Sequence, residues 1–228
     1  MSVGEKTVSI LIGPNGSGKT TLINVITGFY KPDAGKVQYN ATEITGWAPH
    51  AVYNIGLART FQIPALFTKL TVLENLLVAE KKNPGESFDK ALFKRFWLRK
   101  EEEAVEKGAR ILNTIGLMKQ ADTPAYLLSG GQMKLLEMGR ALMSDSKLLL
   151  LDEPVSGINP TLAHEIFGRI IKLRDEEGIS FFIVEHRLDV AMKYVDYMTA
   201  MALGKVVASG TPDKVVADPK VVESYLGD

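Results

Sequence analysis

No cysteine occurs in the 228 residues, which excludes disulfides and cysteine-ligated metals and fits a reducing compartment. Net charge is absent too. The 27 Lys and Arg balance the 27 Asp and Glu, leaving no basic field for nucleic acid, so no nucleic-acid partner is expected. The start lacks the apolar core of a signal peptide. No apolar run approaches the roughly 18 residues of a membrane span. Runs such as LLLL at 148–151 and FFIV at 181–184 are strand-sized, so any service to a membrane comes from outside the bilayer. What remains is ordinary for a globular chain, 46% hydrophobic and 24% charged, enough for one large domain or a domain with an inserted lobe.

Strand and helix signals alternate at both ends of the chain. Thr7 to Ile12 reads as a buried strand and Thr20 to Thr27 as a helix stopped by Gly28. PDAG at 32–35 turns into the short strand KVQYN, Pro49 to Asn54 is a helical turn, and LARTFQ at 57–62 is extended. Lys147 to Asp152 and ISFFIVEH (179–186) are buried strands around a helix from Pro160 to Glu177 that Gly178 closes. Arg187 to Val195 reads as helix, DYMTAMAL and KVVASG as strands around Gly204, and Pro212 and Pro219 as first residues of two short helices. The middle is helical. Thr71 with Glu74 forms a capping box before TVLENLLVAEKK, and a second helix runs from about Glu101 to Ile115 with Gly116 at its end. The expected fold is α/β: a mainly parallel sheet, a small antiparallel β-subdomain and a helical insertion. The division expected is a core of 1–63 and 141–228 with a lobe of 64–140.

GPNGSGKT at 13–20 fits the phosphate-cradling pattern G-x-x-x-x-G-K-[ST]. Its glycines let backbone N–H groups face an anion at a helix N-terminus. Lys19 is placed for the β- and γ-phosphates, and the Thr20 hydroxyl for Mg²⁺. LLLLDE ends in two acids. Asp152 lies beside the phosphate loop if the two strands are near neighbours, and holds Mg²⁺ there. Glu153 is free to orient and deprotonate a water. Acids also follow buried strands simply because the chain emerges into solvent. The phosphate loop alone leaves kinases, GTPases and ATPases open. Ser129 and Gln132 form a further capping box in LLSGGQ, which by itself signals a helix start. Beside a phosphate loop it suggests a second anion-binding helix mouth, reached from a second copy.

From about residue 3 to the end the chain resembles the ATP-binding subunits of ABC transporters. The motifs run in order: GPNGSGKT (13–20), Gln62 in ARTFQ, LSGGQ (128–132), LLLLDEP (148–154), SGINP (156–160) and His186 in VEHRLD. The resemblance implies two subunits sandwiching two ATP molecules, each between one phosphate loop and the partner's LSGGQ. Gly13, Pro14, Asn15, Gly16, Ser17, Gly18, Lys19, Thr20 and Thr21 would then bind nucleotide. Thr20, Gln62 and Asp152 would serve Mg²⁺, Glu153 would act as base, and His186 and Gln62 would assist at the γ-phosphate and the attacking water. Ser129, Gly130, Gly131 and Gln132 would meet the ATP bound by the partner. Asn159 stands where an Asp is common in the family, so a charge-dependent role there is not expected. His50 and His164 read as structural.

ARTFQIPALF, AGKV and the ending PKVVESYLGD resemble the subgroup that serves branched-chain amino-acid importers, with lipopolysaccharide exporters sharing the tail. Expected partners are a second cassette, identical or not, and transmembrane permease subunits, at the cytoplasmic face of the membrane. In the insert around 81–103, Phe88, Leu92, Phe93, Phe96 and Trp97 share one helical face beside Lys94, Arg95, Arg99 and Lys100. That stripe reads as core-facing, with contact to a membrane partner or lipid headgroups as the alternative. The family usually carries short strands and an adenine-stacking aromatic before the phosphate loop. Residues 1–6 leave little room for these, so weakened base selectivity and lower stability are expected. Phe29 and Tyr30 are not assumed to substitute. Three functions remain open at this point: a transport ATPase, an ABC ATPase of another system (a soluble one or an exporter), and a scaffold impaired in nucleotide binding.

Overall fold

The computed structural model describes residues 1–61, 63–81 and 97–226. Two compact units divide the chain, one of 1–62 with 146–228 and one of 63–145.

The first unit is built on a six-stranded sheet in the order β4-β5-β6-β1-β7-β8. These strands are β1 (Val8–Ile12), β4 (Leu57–Arg59), β5 (Leu148–Asp152), β6 (Ser180–Val184), β7 (Tyr197–Ala202) and β8 (Lys205–Gly210). Every pairing is parallel except the β7–β8 hairpin around Gly204. Parallel strands need both faces covered, and all five residues of β1 and of β6 are buried. One face packs Leu11, Leu150, Phe182 and Met201 against Ile23 of α1 (Lys19–Ile26) and Val52 of α2 (Pro49–Asn54). A separate antiparallel pair, β2 (Gln38–Tyr39) with β3 (Thr42–Glu43), forms the small second sheet.

In the second unit α3 (Val72–Leu77), α4 (Leu98–Ile115) and α5 (Gly130–Met143) bury Leu76, Leu112, Ile115 and Leu136 completely. Lys107 ties α4 to the end of α5 through the Met143 carbonyl oxygen (2.6 Å) and Asp145 (2.9 Å). The whole of α5 and its C-terminal turn therefore belong to this unit, which runs to Asp145 where the sequence pattern placed the division at 140. Helix α3 is shorter than TVLENLLVAEKK predicts. Its end tightens into i→i+3 bonds, Ala79 to Leu76 and Glu80 to Leu77, while Glu80 pairs with Lys100 (3.3 Å) and Lys107 (3.0 Å). Of the aromatic stripe, Phe88, Leu92, Phe93 and Phe96 lie outside the described residues, as do Lys94 and Arg95.

Back in the first unit, α6 (Pro160–Glu177) has the limits its proline and Gly178 dictate. The stretch 187–195 gives only α7 (Leu188–Ala191) and a 3₁₀ turn, Met192–Tyr194. Helices α8 (Pro212–Val216) and α9 (Pro219–Leu226) close the chain, both opening on proline.

Candidate functional site

Strand β1 delivers the chain into Gly13, and no other residue fits there. Its φ is +152°, and an added Cβ would sit 2.2 Å from the Met201 carbonyl oxygen and 2.7 Å from Ser17 Oγ. Gly13→Ala is expected to lower the melting temperature by several degrees and weaken nucleotide binding together. Differential scanning fluorimetry with and without ADP reads both. Beyond it, Ser17 N–H donates to the Pro14 carbonyl (3.2 Å), and Gly18 in a left-handed conformation opens α1. Glycine has no side-chain oxygen to cap the first turn, so that turn is left for an external acceptor. Asn15, Gly16, Thr20 and Thr21 are exposed, while Ser17 is buried.

Lys19 is 7% exposed. Its Nζ donates to the Gly13 and Pro14 carbonyl oxygens, both at 2.8 Å, and to Ser17 Oγ at 3.4 Å. Burial holds its pKa below the usual lysine value, opposed by Glu153 and then Asp152. The loop, the lysine and the two acids thus share one electrostatic neighbourhood.

The acids do not sit on the strand next to β1. Strand β6 lies between, and Leu11, Val184 and Asp152 occupy one row across the three strands. Asp152 is held by Arg59 of β4, whose Nη2 donates to its carboxylate at 3.0 Å with both side chains only 9% exposed. Arg59 Nη1 donates to Asn24 of α1, and its guanidinium lies over the Phe61 and Phe29 rings, at 5.2 and 5.9 Å from their centroids. Arg59 was not among the residues the sequence motifs single out. Its only signal is a charge inside an apolar strand, with its partner 93 positions away.

Glu153 departs from the strand with φ +51°, a left-handed conformation rare for a residue with a side chain. Its N–H still donates to the Val184 carbonyl (2.9 Å), which anchors the turn to β6. The turn sends the carboxylate to His186, Oε1 to Nε2 at 3.2 Å. His186 is thereby brought to Glu153 from 33 residues away. His164 bonds the Tyr194 hydroxyl at 3.0 Å, away from this cluster. Asn159 uses its side chain to cap α6, accepting from Leu162 N–H at 2.9 Å.

Gln62 lies outside the described residues. Ser129, Gly130, Gly131 and Gln132 belong to the helical unit, at the mouth of α5. The capping box is formed there: Ser129 Oγ accepts from Gln132 N–H (3.3 Å), and Gln132 Oε1 accepts from Ser129 N–H (2.9 Å). Ser129 and Gly130 are exposed. Within the first unit the structure therefore gathers the phosphate-loop pattern, Asp152, Glu153 and His186 into one cluster, and holds the SGGQ helix mouth in the other.

The family described as ABC transporter matches residues 1–156, and one described as branched-chain amino acid ATP-binding cassette transporter matches residues 205–228. The chain belongs to the ABC transporter family. It is an ATP-binding cassette and an ATPase. A probable branched-chain amino acid transport ATP-binding protein of Methanocaldococcus jannaschii is 48% identical over all of this chain and 90% of its own length. A high-affinity branched-chain amino acid transport ATP-binding protein of Pseudomonas aeruginosa is 38% identical over the same shares. A nucleotide-free ATP-binding cassette from an ABC transporter superposes with a TM-score of 0.86 at 47% identity, covering 100% of this chain and 91% of that one. The ADP conformation of an ATP-binding cassette of an ABC transporter matches with the same TM-score and coverage. No helix among the described residues of this cassette is long and apolar enough to cross a membrane.

Proposed function

We propose that this cassette powers import of branched-chain amino acids through partner transmembrane subunits at the cytoplasmic face of a membrane. The observation that carries the hydrolytic part is the Glu153–His186 pair at 3.2 Å, set at the strand tips beside the buried Lys19. The choice of substrate rests on the relatives named above and on the match at residues 205–228. Gly13 to Thr21 bind the phosphates of ATP, with Lys19 exchanging its two carbonyl acceptors for phosphate oxygens. Glu153 takes a proton from the attacking water while His186 holds its carboxylate.

The donor set suits Mg²⁺. Thr20, Gln62 and Asp152 offer oxygen only, without sulfur or imidazole, and those three residues would hold the ion. Among the described residues no group of three acidic or histidine side chains converges, which fits an ion that also needs nucleotide oxygens. When bound, Mg²⁺ neutralises charge on the phosphates. Ser129 to Gln132 meet the ATP bound by a second cassette, so ATP closes a dimer and hydrolysis opens it.

Co-expression with hydrophobic permease subunits and reconstitution into leucine-loaded and leucine-free vesicles tests the reading. ATP supplied on the cassette side should drive leucine from the opposite side toward the cassette side. ATP-driven movement away from the cassette side, or movement of lipid instead, contradicts it.

A further inference from the structure

Glu185 is as buried as any core residue, 1% exposed, yet no motif assigns it a task. Its two carboxylate oxygens are divided between two loops. Oε1 accepts from Val155 N–H (3.0 Å), and Oε2 accepts from His186 N–H (2.7 Å) and Arg187 N–H (3.1 Å). Beside it, Arg187 Nη1 donates to the Ile158 carbonyl at 2.9 Å. Two rungs therefore join the loop that follows Glu153 to the loop that carries His186. Val155 is fully buried, and the loop turns back on itself. Ser156 N–H reaches Glu153 O at 3.2 Å, Ile158 N–H reaches Val155 O at 3.3 Å, and Gly157 is exposed with φ +72°.

We propose that Glu185 and Arg187 are positioning residues that strap loop 155–158 to His186 and thereby hold the Glu153–His186 pair in place. The proposal rests on the roles given above to Glu153 and His186. Neither strap residue belongs to the phosphate-loop pattern or to the three residues proposed for Mg²⁺. The carboxylate fixes the His186 backbone, and through it the ring that meets Glu153. A carboxylate is required, because glutamine replaces one oxygen by an NH₂ group. Whichever way that amide turns, it faces either the Val155 N–H or the paired N–H groups of His186 and Arg187. One rung is lost while the volume is kept.

Glu185→Gln is expected to lower kcat at least tenfold with KM for ATP within twofold, because binding residues are untouched. A folded Glu185→Gln with kcat within twofold of wild type overturns the proposal. If that variant does not fold, Arg187→Met decides on the same readouts, since its side chain is 29% exposed and its loss leaves the core intact.

Transmission is read separately. Gly157→Ala strains the loop backbone without a clash, because its Cβ meets nothing within 4 Å. In wild type it should shift the ring NMR signals of His186 and leave those of His50 and His164 in place. In the Arg187→Met background that shift should shrink by half or more. Equal shifts in both backgrounds contradict the strap. His186→Ala separates the two readings: full activity in that variant removes the catalytic assignment, whereas an inactive His186→Ala beside an active Glu185→Gln removes the strap alone.

Discussion

Glu153→Gln is expected to lower kcat by about 10²–10⁴-fold, the usual worth of a positioned proton acceptor, with ATP affinity changed less than threefold. The variant keeps the left-handed turn and the Val184 anchor, since both belong to the backbone. It also keeps an oxygen that can face His186 Nε2, now at 3.2 Å from Glu153 Oε1. What it loses is the ability to take a proton. Steady-state ATPase assays with an independent binding measurement separate the two quantities. An unchanged kcat would remove Glu153 from the reaction. A large loss of affinity with an unchanged kcat would make it a binding residue instead.

Lys19→Met should abolish measurable nucleotide binding at concentrations that saturate wild type, while leaving the fold intact. Hydrogen bonds to charged groups contribute about 1.5–3 kcal/mol each, so two of them lost to phosphate cost roughly a hundredfold or more in affinity. The effect on stability runs the other way. Burial depresses the folded-state pKa of Lys19 below its unfolded value, so the charged lysine destabilises the fold. That penalty is present at pH below the folded pKa and is relieved as pH rises toward the unfolded one. Methionine removes it and also removes two carbonyl hydrogen bonds. The melting temperature at neutral pH is therefore expected to stay within a few degrees. Calorimetric titration with ADP and a thermal melt on the same preparation check both halves. Retained binding would mean that the backbone N–H groups of the loop do the work without the lysine.

Local chemistry made much of this molecule legible. Pro160 and Gly178 bracket α6, Gly116 stops α4, and the Thr71 and Ser129 boxes open their helices, because each is a short-range rule acting on neighbours in sequence. Strand order was not legible. LLLLD and VSILI read as buried strands whose spacing in the sheet nothing local dictates, and β6 pairs with both and separates them. Helix α3 ends early in i→i+3 bonds, and just past its end Glu80 pairs with Lys100 and Lys107, residues of another helix that local sequence does not announce.

The same limit applies to the candidate site. Motif residues were visible, but their supports were not. Arg59 meets Asp152 across 93 positions, and Glu185 meets Val155 across 30. Nothing in the spacing of either glutamate or arginine announces such a partner, because a parallel sheet brings together strand tips that are remote in sequence. The left-handed turn at Glu153 was equally hidden, since a glutamate gives no sign of a conformation that glycine would adopt freely.

The central claim is that the phosphate-loop cluster is half of a site that a second cassette completes. Light scattering of purified Glu153→Gln, with and without Mg-ATP, tests it most directly. Blocking proton abstraction while ATP still binds should trap the closed pair, so the account predicts one cassette's mass without nucleotide and twice that mass with it. A single-cassette mass in both conditions, at ATP concentrations shown to saturate the protein, would contradict it.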